Sequence, residues 1–166
     1  KAGDIVGFNR SVAQKAVWQD RKNTFKNQMS KQLEKLTGEE KKAIWRYTGN
    51  AANRVNSAIY SGKQQRIDQE KGFMDLLDSA LSKGTAEHKM VVHRDTIPEY
   101  LNAFPKGFQY SEEDIKRMNG MTLTNKGYTS TSFHDIMYQG RNVHLEIEIP
   151  KGYKGCLYIK DVATEK

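Results

Sequence analysis

Apolar residues recur at helical spacing through the first half of the chain. Trp18, Phe25, Met29, Leu33 and Leu36 stand seven, four, four and three positions apart, which stacks them on one face of a helix. Thr37 and Glu40 in LTGEE make a capping-box pattern. The threonine hydroxyl and the glutamate carboxylate can each satisfy a backbone N–H that a first helical turn leaves without a partner. The pattern opens a second helix through Ala43, Ile44 and Tyr47. Gly49 and Asn50 punctuate the chain, and NRVNSAIY resumes with Val55 and Ile59 on one side. FMDLLDSALSKG then turns Phe73, Leu76, Leu77, Ala80 and Leu81 inward, with Gly84 as the predicted stop. These stripes are read as core.

The period changes in the second half. KMVVHR is a short apolar run suited to a buried strand. SEEDIKRM places Ser111 as an N-cap ahead of acids in the first turn, predicting a short helix between strands. NVHLEIEIP alternates, with Val143, Leu145, Ile147 and Ile149 on one face and His144, Glu146 and Glu148 on the other. After the turn at PKGYKG, CLYI reads as a further strand, and GYTSTSF upstream reads as a hydroxyl-rich one. Helices first and mostly antiparallel strands after predict an α+β domain.

Size and charge narrow the picture. With 166 residues the chain fits one domain, read as a basic helical extension over 1–36 and a core over 37–166. The formal charge is +7, and residues 1–42 hold ten Lys or Arg against five Asp or Glu. That balance suits an anionic partner such as a phosphate-bearing cofactor, an acidic membrane surface or nucleic acid, and equally a solvated helix surface. No basic run is interleaved with aromatics, so nucleic acid is not the expected partner. No segment is apolar and long enough to cross a bilayer, and KAGDIVGFNR carries no signal-peptide pattern. The chain does not begin with methionine, so it is expected to be cut from something longer or processed. The single cysteine, Cys156, excludes an internal disulfide and is expected in a buried strand, where Cys behaves as a small hydrophobe.

Several kinds of chemistry are set aside. His88, His93, His134 and His144 lack metal-ligand spacing, so no metal is expected. Neither GxGxxG nor GxxxxGK[ST] occurs. His93 and His144, in predicted strands, are read as structural or surface residues, and Glu146 with Glu148 as an ordinary solvent face. Three features remain: Arg94 ending VVHR, the run TSTSF, and the loop YQGR from Tyr138 to Arg141.

Their order and company resemble the bacterial mono-ADP-ribosyltransferase toxins, of the type of the clostridial Rho-modifying exoenzymes and the enzymatic components of binary actin-modifying toxins. LTGEEKKAIWRYTGNAANRVN looks like the helix pair that opens the family's catalytic domain, placing Tyr47, Thr48 and Asn56 toward NAD. LLDSALSK followed by VVHRDTIPEYL is similar to the helix and strand that deliver the NAD-binding arginine, here Arg94. GYTSTSF matches the family's Ser-Thr-Ser strand as Ser130, Thr131 and Ser132, followed by Phe133. YQGRNVHLEIEIPKGYKG looks like the loop and strand beyond, with Tyr138 in an aromatic place and Arg141 in a phosphate-contacting one.

The resemblance implies an ADP-ribosyltransferase-like split β-sandwich of antiparallel sheets with N-terminal helices. It implies NAD as the cofactor consumed, and transfer of ADP-ribose to a host protein such as a small GTPase or actin, with NAD hydrolysis as a side activity. Arg94 and Ser130 would serve catalysis, and a delivery component, if any, would supply the only membrane contact. Secretion or delivery into a host cell is implied as well. Three departures are visible. The family's glutamate in [Q/E]-x-E has no match, since Glu165 follows the last predicted strand too closely, so a C-terminal portion carrying it is expected to be missing here. The arginine that often follows the helix asparagine is replaced at Tyr60, and the residue after Arg94, Arg or Ser in the family, is Asp95. Two other readings stand beside the enzyme: an inactive NAD- or partner-binding module on the same fold, and an adaptor using its basic helix on polyanions.

Overall fold

The computed structural model describes residues 24–101, 103–105, 107–134, 141 and 143–160. The chain divides into two units. Among the described residues, a helical unit comprises 24–90 with 149–160, and a strand unit comprises 91–148.

In the helical unit, α1 (residues 24–30) runs into a 3-10 turn, Lys31–Lys35. Phe25, Met29, Leu33 and Leu36 are all buried, as their spacing predicts, while Trp18 lies outside the described residues. Helix α2 (Gly38–Arg46) starts at the expected capping box. The Thr37 hydroxyl accepts from the Glu40 N–H at 3.2 Å and the Glu40 carboxylate accepts from the Thr37 N–H at 2.7 Å. The chain does not break at Gly49. It passes through one π-turn, Tyr47–Ala51, kinked at Gly49, into α3 (Ala52–Ser61). Gly62, at φ 63°, closes α3 in the left-handed region where a side chain would be strained.

Helix α4 (Gln64–Ser82) packs against α2 and α3. Leu77 and Ala80 are buried, with Phe73, Leu76 and Leu81 half-buried. Phe73 lies beneath the guanidinium groups of Arg46 and Arg54, at 5.3 and 6.0 Å from the ring centre. Gly84 does follow the helix, yet for a different reason from the predicted one. The helix is closed by Lys83 in ordinary right-handed backbone. Gly84 is where residues 152–156 come close: the Gly155 N–H donates to its carbonyl at 3.0 Å, and a Cβ there would collide with the Cys156 carbonyl.

In the strand unit, β1 (Met90–Thr96) and β2 (Val143–Ile149) pair in an antiparallel sheet. Helix α5 (Glu112–Arg117) carries the predicted Ser111 cap, completed by the Asp114 carboxylate on the Ser111 N–H at 2.9 Å. Leu101, Ile115, Met118 and Val143 form a buried cluster in this unit, with Phe104, Tyr110 and Leu145 packed against it.

Two predicted strands are not formed as such. GYTSTSF makes one isolated antiparallel bridge, His93 with Ser132. Side chains take up backbone donors on either side of the bridge: the Ser132 hydroxyl accepts from the His134 N–H at 3.0 Å and the Asn125 side-chain carbonyl from the Gly127 N–H at 3.3 Å. Such local bonds compete with a ladder. CLYI forms no strand either. Its neighbours make a single bridge, Lys154 with Thr85, and Gly152 and Gly155 sit at φ 86° and 90°, which turns the chain away from extended backbone. Cys156 is accordingly half-buried in irregular chain, and burial pushes its thiol pKa up.

Candidate functional site

Arg94 sits in the middle of β1, half-buried. Its neighbour across the bridge fixes the backbone: the His93 N–H donates to the Ser132 carbonyl at 2.7 Å, and the Ser132 N–H donates back at 2.9 Å. This reciprocal pair sets the register of the hydroxyl-rich run against β1, and the Ser130 carbonyl then accepts from an Arg94 Nη1 at 2.7 Å. The Arg94 Nε is buried and lacks a hydrogen-bond partner among the described residues. A neutral carbonyl orients a guanidinium without cancelling its charge. The result is a fixed cation with donors to spare, a form suited to the planar fork with which arginine grips phosphate oxygens.

Arg94 thus meets Ser130 through the backbone carbonyl of Ser130. Ser130 and Thr131 are exposed, Ser132 is half-buried and Phe133 is buried. Arg141 is exposed and lies over the Tyr100 ring at 5.6 Å, a cation–π contact. No hydrogen bond among the described residues joins it to Arg94 or Ser130. Tyr138 and Glu165 lie outside the described residues.

In the helical unit, Tyr47 is buried at the start of the π-turn, and its hydroxyl accepts from the Asn56 amide at 3.3 Å. The pair joins residues on either side of the kink, Tyr47 at the start of the π-turn and Asn56 on α3. Thr48, on the π-turn, is exposed and donates to the Trp45 carbonyl at 2.8 Å. Among the described residues no cluster of His, Cys, Asp or Glu could hold a metal, and no helix is long and apolar enough to cross a membrane.

One constellation escaped the sequence reading. Asp95 Oδ1 accepts from His144 Nδ1 at 2.6 Å, and the other His144 nitrogen lies 3.3 Å from His93 Nδ1 with the two rings stacked. The signal was present as a histidine and an aspartate two apart on β1, which share a face, opposite a histidine on an alternating strand. Taken singly, each histidine read as a structural or surface residue.

With this geometry in place, comparison with known proteins is decisive. The family model for the ADP-ribosyltransferase exoenzyme matches residues 22–166. The chain belongs to that family. It is similar in structure to Plx2a, an ADP-ribosyltransferase toxin from Paenibacillus larvae, with 27% identity and a TM-score of 0.66 over 89% of this chain and 77% of that one. The C3 exoenzyme of Clostridium limosum matches at 20% identity and a TM-score of 0.60, over 94% of this chain and 80% of its own. An ADP-ribosyltransferase from Clostridium botulinum matches at 21% identity and a TM-score of 0.59, over 95% of this chain and 79% of its own. No curated protein sequence matches. The exoenzyme domain thus carries the ADP-ribosyltransferase toxin fold that its motifs implied, and it is an NAD-dependent ADP-ribosyltransferase by family.

Proposed function

We propose that this domain binds NAD through Arg94 and transfers its ADP-ribose to a protein acceptor of a host cell, releasing nicotinamide. The observation that supports this most directly is the state of Arg94: held by a carbonyl at 2.7 Å, with a buried Nε left unpartnered among the described residues. A buried donor without a partner is costly unless something supplies an acceptor. A pyrophosphate oxygen would meet an uncancelled positive charge on the guanidinium, and would reach the buried Nε only once the surrounding side chains shift. Arg141, exposed and steadied by Tyr100, is the second phosphate contact in this reading. Tyr47, Thr48, Asn56, Thr131, Ser132, Phe133 and Tyr138 are assigned to the cofactor on the family resemblance.

The chemistry follows from NAD itself. The bond from nicotinamide nitrogen to ribose C1′ breaks, and its electron pair leaves with the nicotinamide. Positive charge builds on the sugar, as in glycoside cleavage. The acceptor nucleophile donates a pair to C1′ and gives up its proton, and water in its place yields free ADP-ribose. Preorganised negative charge beside the ribose lowers this barrier, the role of the glutamate in the family's Q/E-x-E motif. The exposed Ser130 hydroxyl can accept from a ribose hydroxyl while donating to that carboxylate. The fork at Arg94 fixes the cofactor's phosphates, and so the position of C1′.

The test is NAD binding by calorimetry, beside NAD consumption. Arg94→Ala should weaken NAD binding by roughly 10- to 100-fold, since hydrogen bonds to charged groups contribute about 1.5–3 kcal/mol. Equal affinity in the variant and the unmodified domain would overturn the assignment.

A further inference from the structure

Arg94 has an acid as its next residue, yet no carboxylate pairs with it among the described residues, and the reason lies on the other face of β1. Neighbouring side chains of a strand point to opposite faces. His93 and Asp95 share one face and both meet His144 there, whereas Arg94 reaches the Ser130 carbonyl. The Asp95 side chain is only 2% exposed, and its His144 bond is 2.6 Å long. A carboxylate so far removed from water needs a donor close by. We propose that Asp95 and His144 are positioning residues for Arg94. His144 holds the carboxylate on the far face of the strand, so it does not act as an internal counter-ion.

The hydrogen-bond chain is consistent in either charge state of His144. With its Nδ1–H donating to Asp95, a neutral His144 accepts from the His93 ring, and a cationic one donates to it. His93 is also the residue whose backbone is paired twice with Ser132. One network therefore ties together β1, β2 and the hydroxyl-rich run.

This inference rests on the NAD-binding reading, and the experiment separates the two. NAD affinity is measured by calorimetry for the unmodified domain, His144→Phe, Asp95→Asn, and the double variant Asp95→Val with His144→Phe, with apo melting curves alongside. His144→Phe should bind NAD about tenfold more weakly or worse. The double variant removes charge and donor together and substitutes strand-forming residues, a change that can be nearly neutral. It should return to within about threefold of the unmodified domain. Asp95→Asn keeps an acceptor for His144, removes one negative charge, and should bind somewhat more tightly. Full affinity in His144→Phe, failure of the double variant to recover, or a tenfold loss in Asp95→Asn would each overturn the positioning role while leaving NAD binding intact. Should His144→Phe not fold, the Asp95→Asn result decides. No NAD binding by the unmodified domain would instead overturn the functional reading itself, and this one with it.

Discussion

The two units treat buried charge in opposite ways. In the helical unit Glu40 is 2% exposed and saturated: both carboxylate oxygens receive the Lys83 ammonium at 2.7 Å, Oε1 the Ser79 hydroxyl at 2.7 Å, and Oε2 the Thr37 N–H. Lys83 is the largest cause of its depressed pKa, with Ser79 next, bringing it to about 2. In the strand unit Arg94 keeps a buried donor with no partner among the described residues and a neutral carbonyl in place of a counter-ion. A charge satisfied on every side holds a fold together. One fixed in direction and left incomplete fits the NAD-binding role proposed for Arg94.

That contrast can be broken experimentally, starting where the effect should be largest. Glu40→Ala removes the carboxylate that joins α2 to the end of α4 and should destabilise the domain by about 3 kcal/mol in urea unfolding, since losing one partner of a buried pair is costly. A change under about 0.5 kcal/mol would mean the cluster is decorative. Arg94→Ala should do the reverse: a large loss of NAD affinity, and a stability change within about 1 kcal/mol because an unsatisfied buried donor disappears with it. A strongly destabilised Arg94→Ala would make Arg94 structural and erase the distinction.

Acid provides a third handle. The folded-state pKa of Glu40, about 2, lies below its ordinary 4.5, so the folded domain binds fewer protons than the unfolded chain between those values. The contribution of Glu40 to stability is complete above about pH 4.5 and is lost as the pH falls toward 2, and Glu40→Ala should flatten that limb of a stability–pH curve. The smallest effect concerns Cys156. Burial raises its thiol pKa, so alkylation at neutral pH should be slower than for a free thiol and accelerate on unfolding.

Much of this was legible along the chain because the deciding interactions are local. Both capping boxes join residues three apart, and helical and alternating periodicities place Leu33, Ile44, Val55, Leu77 and Val143 in the core. The misreadings share a cause. GYTSTSF has strand composition, but its side chains bond to nearby backbone and leave one bridge at Ser132. Glu40 was legible as a cap and not as the partner of Lys83, which is 43 residues away. His144 and Asp95 are 49 apart, and neither position announces the other.

The site divides in the same way. The motifs alone named Arg94, Ser130 and Arg141 and the family to which the chain belongs, because residue types at ordered intervals survive in sequence. The fold decided the surroundings of Arg94: which carbonyl aims it, which of its donors has no partner among the described residues, and where the neighbouring carboxylate goes. Helix caps and strand faces follow from bonds spanning a few residues, whose geometry the chain carries in its own spacing. The surroundings of a buried charge depend on groups dozens of residues away, and only tertiary packing brings those within reach.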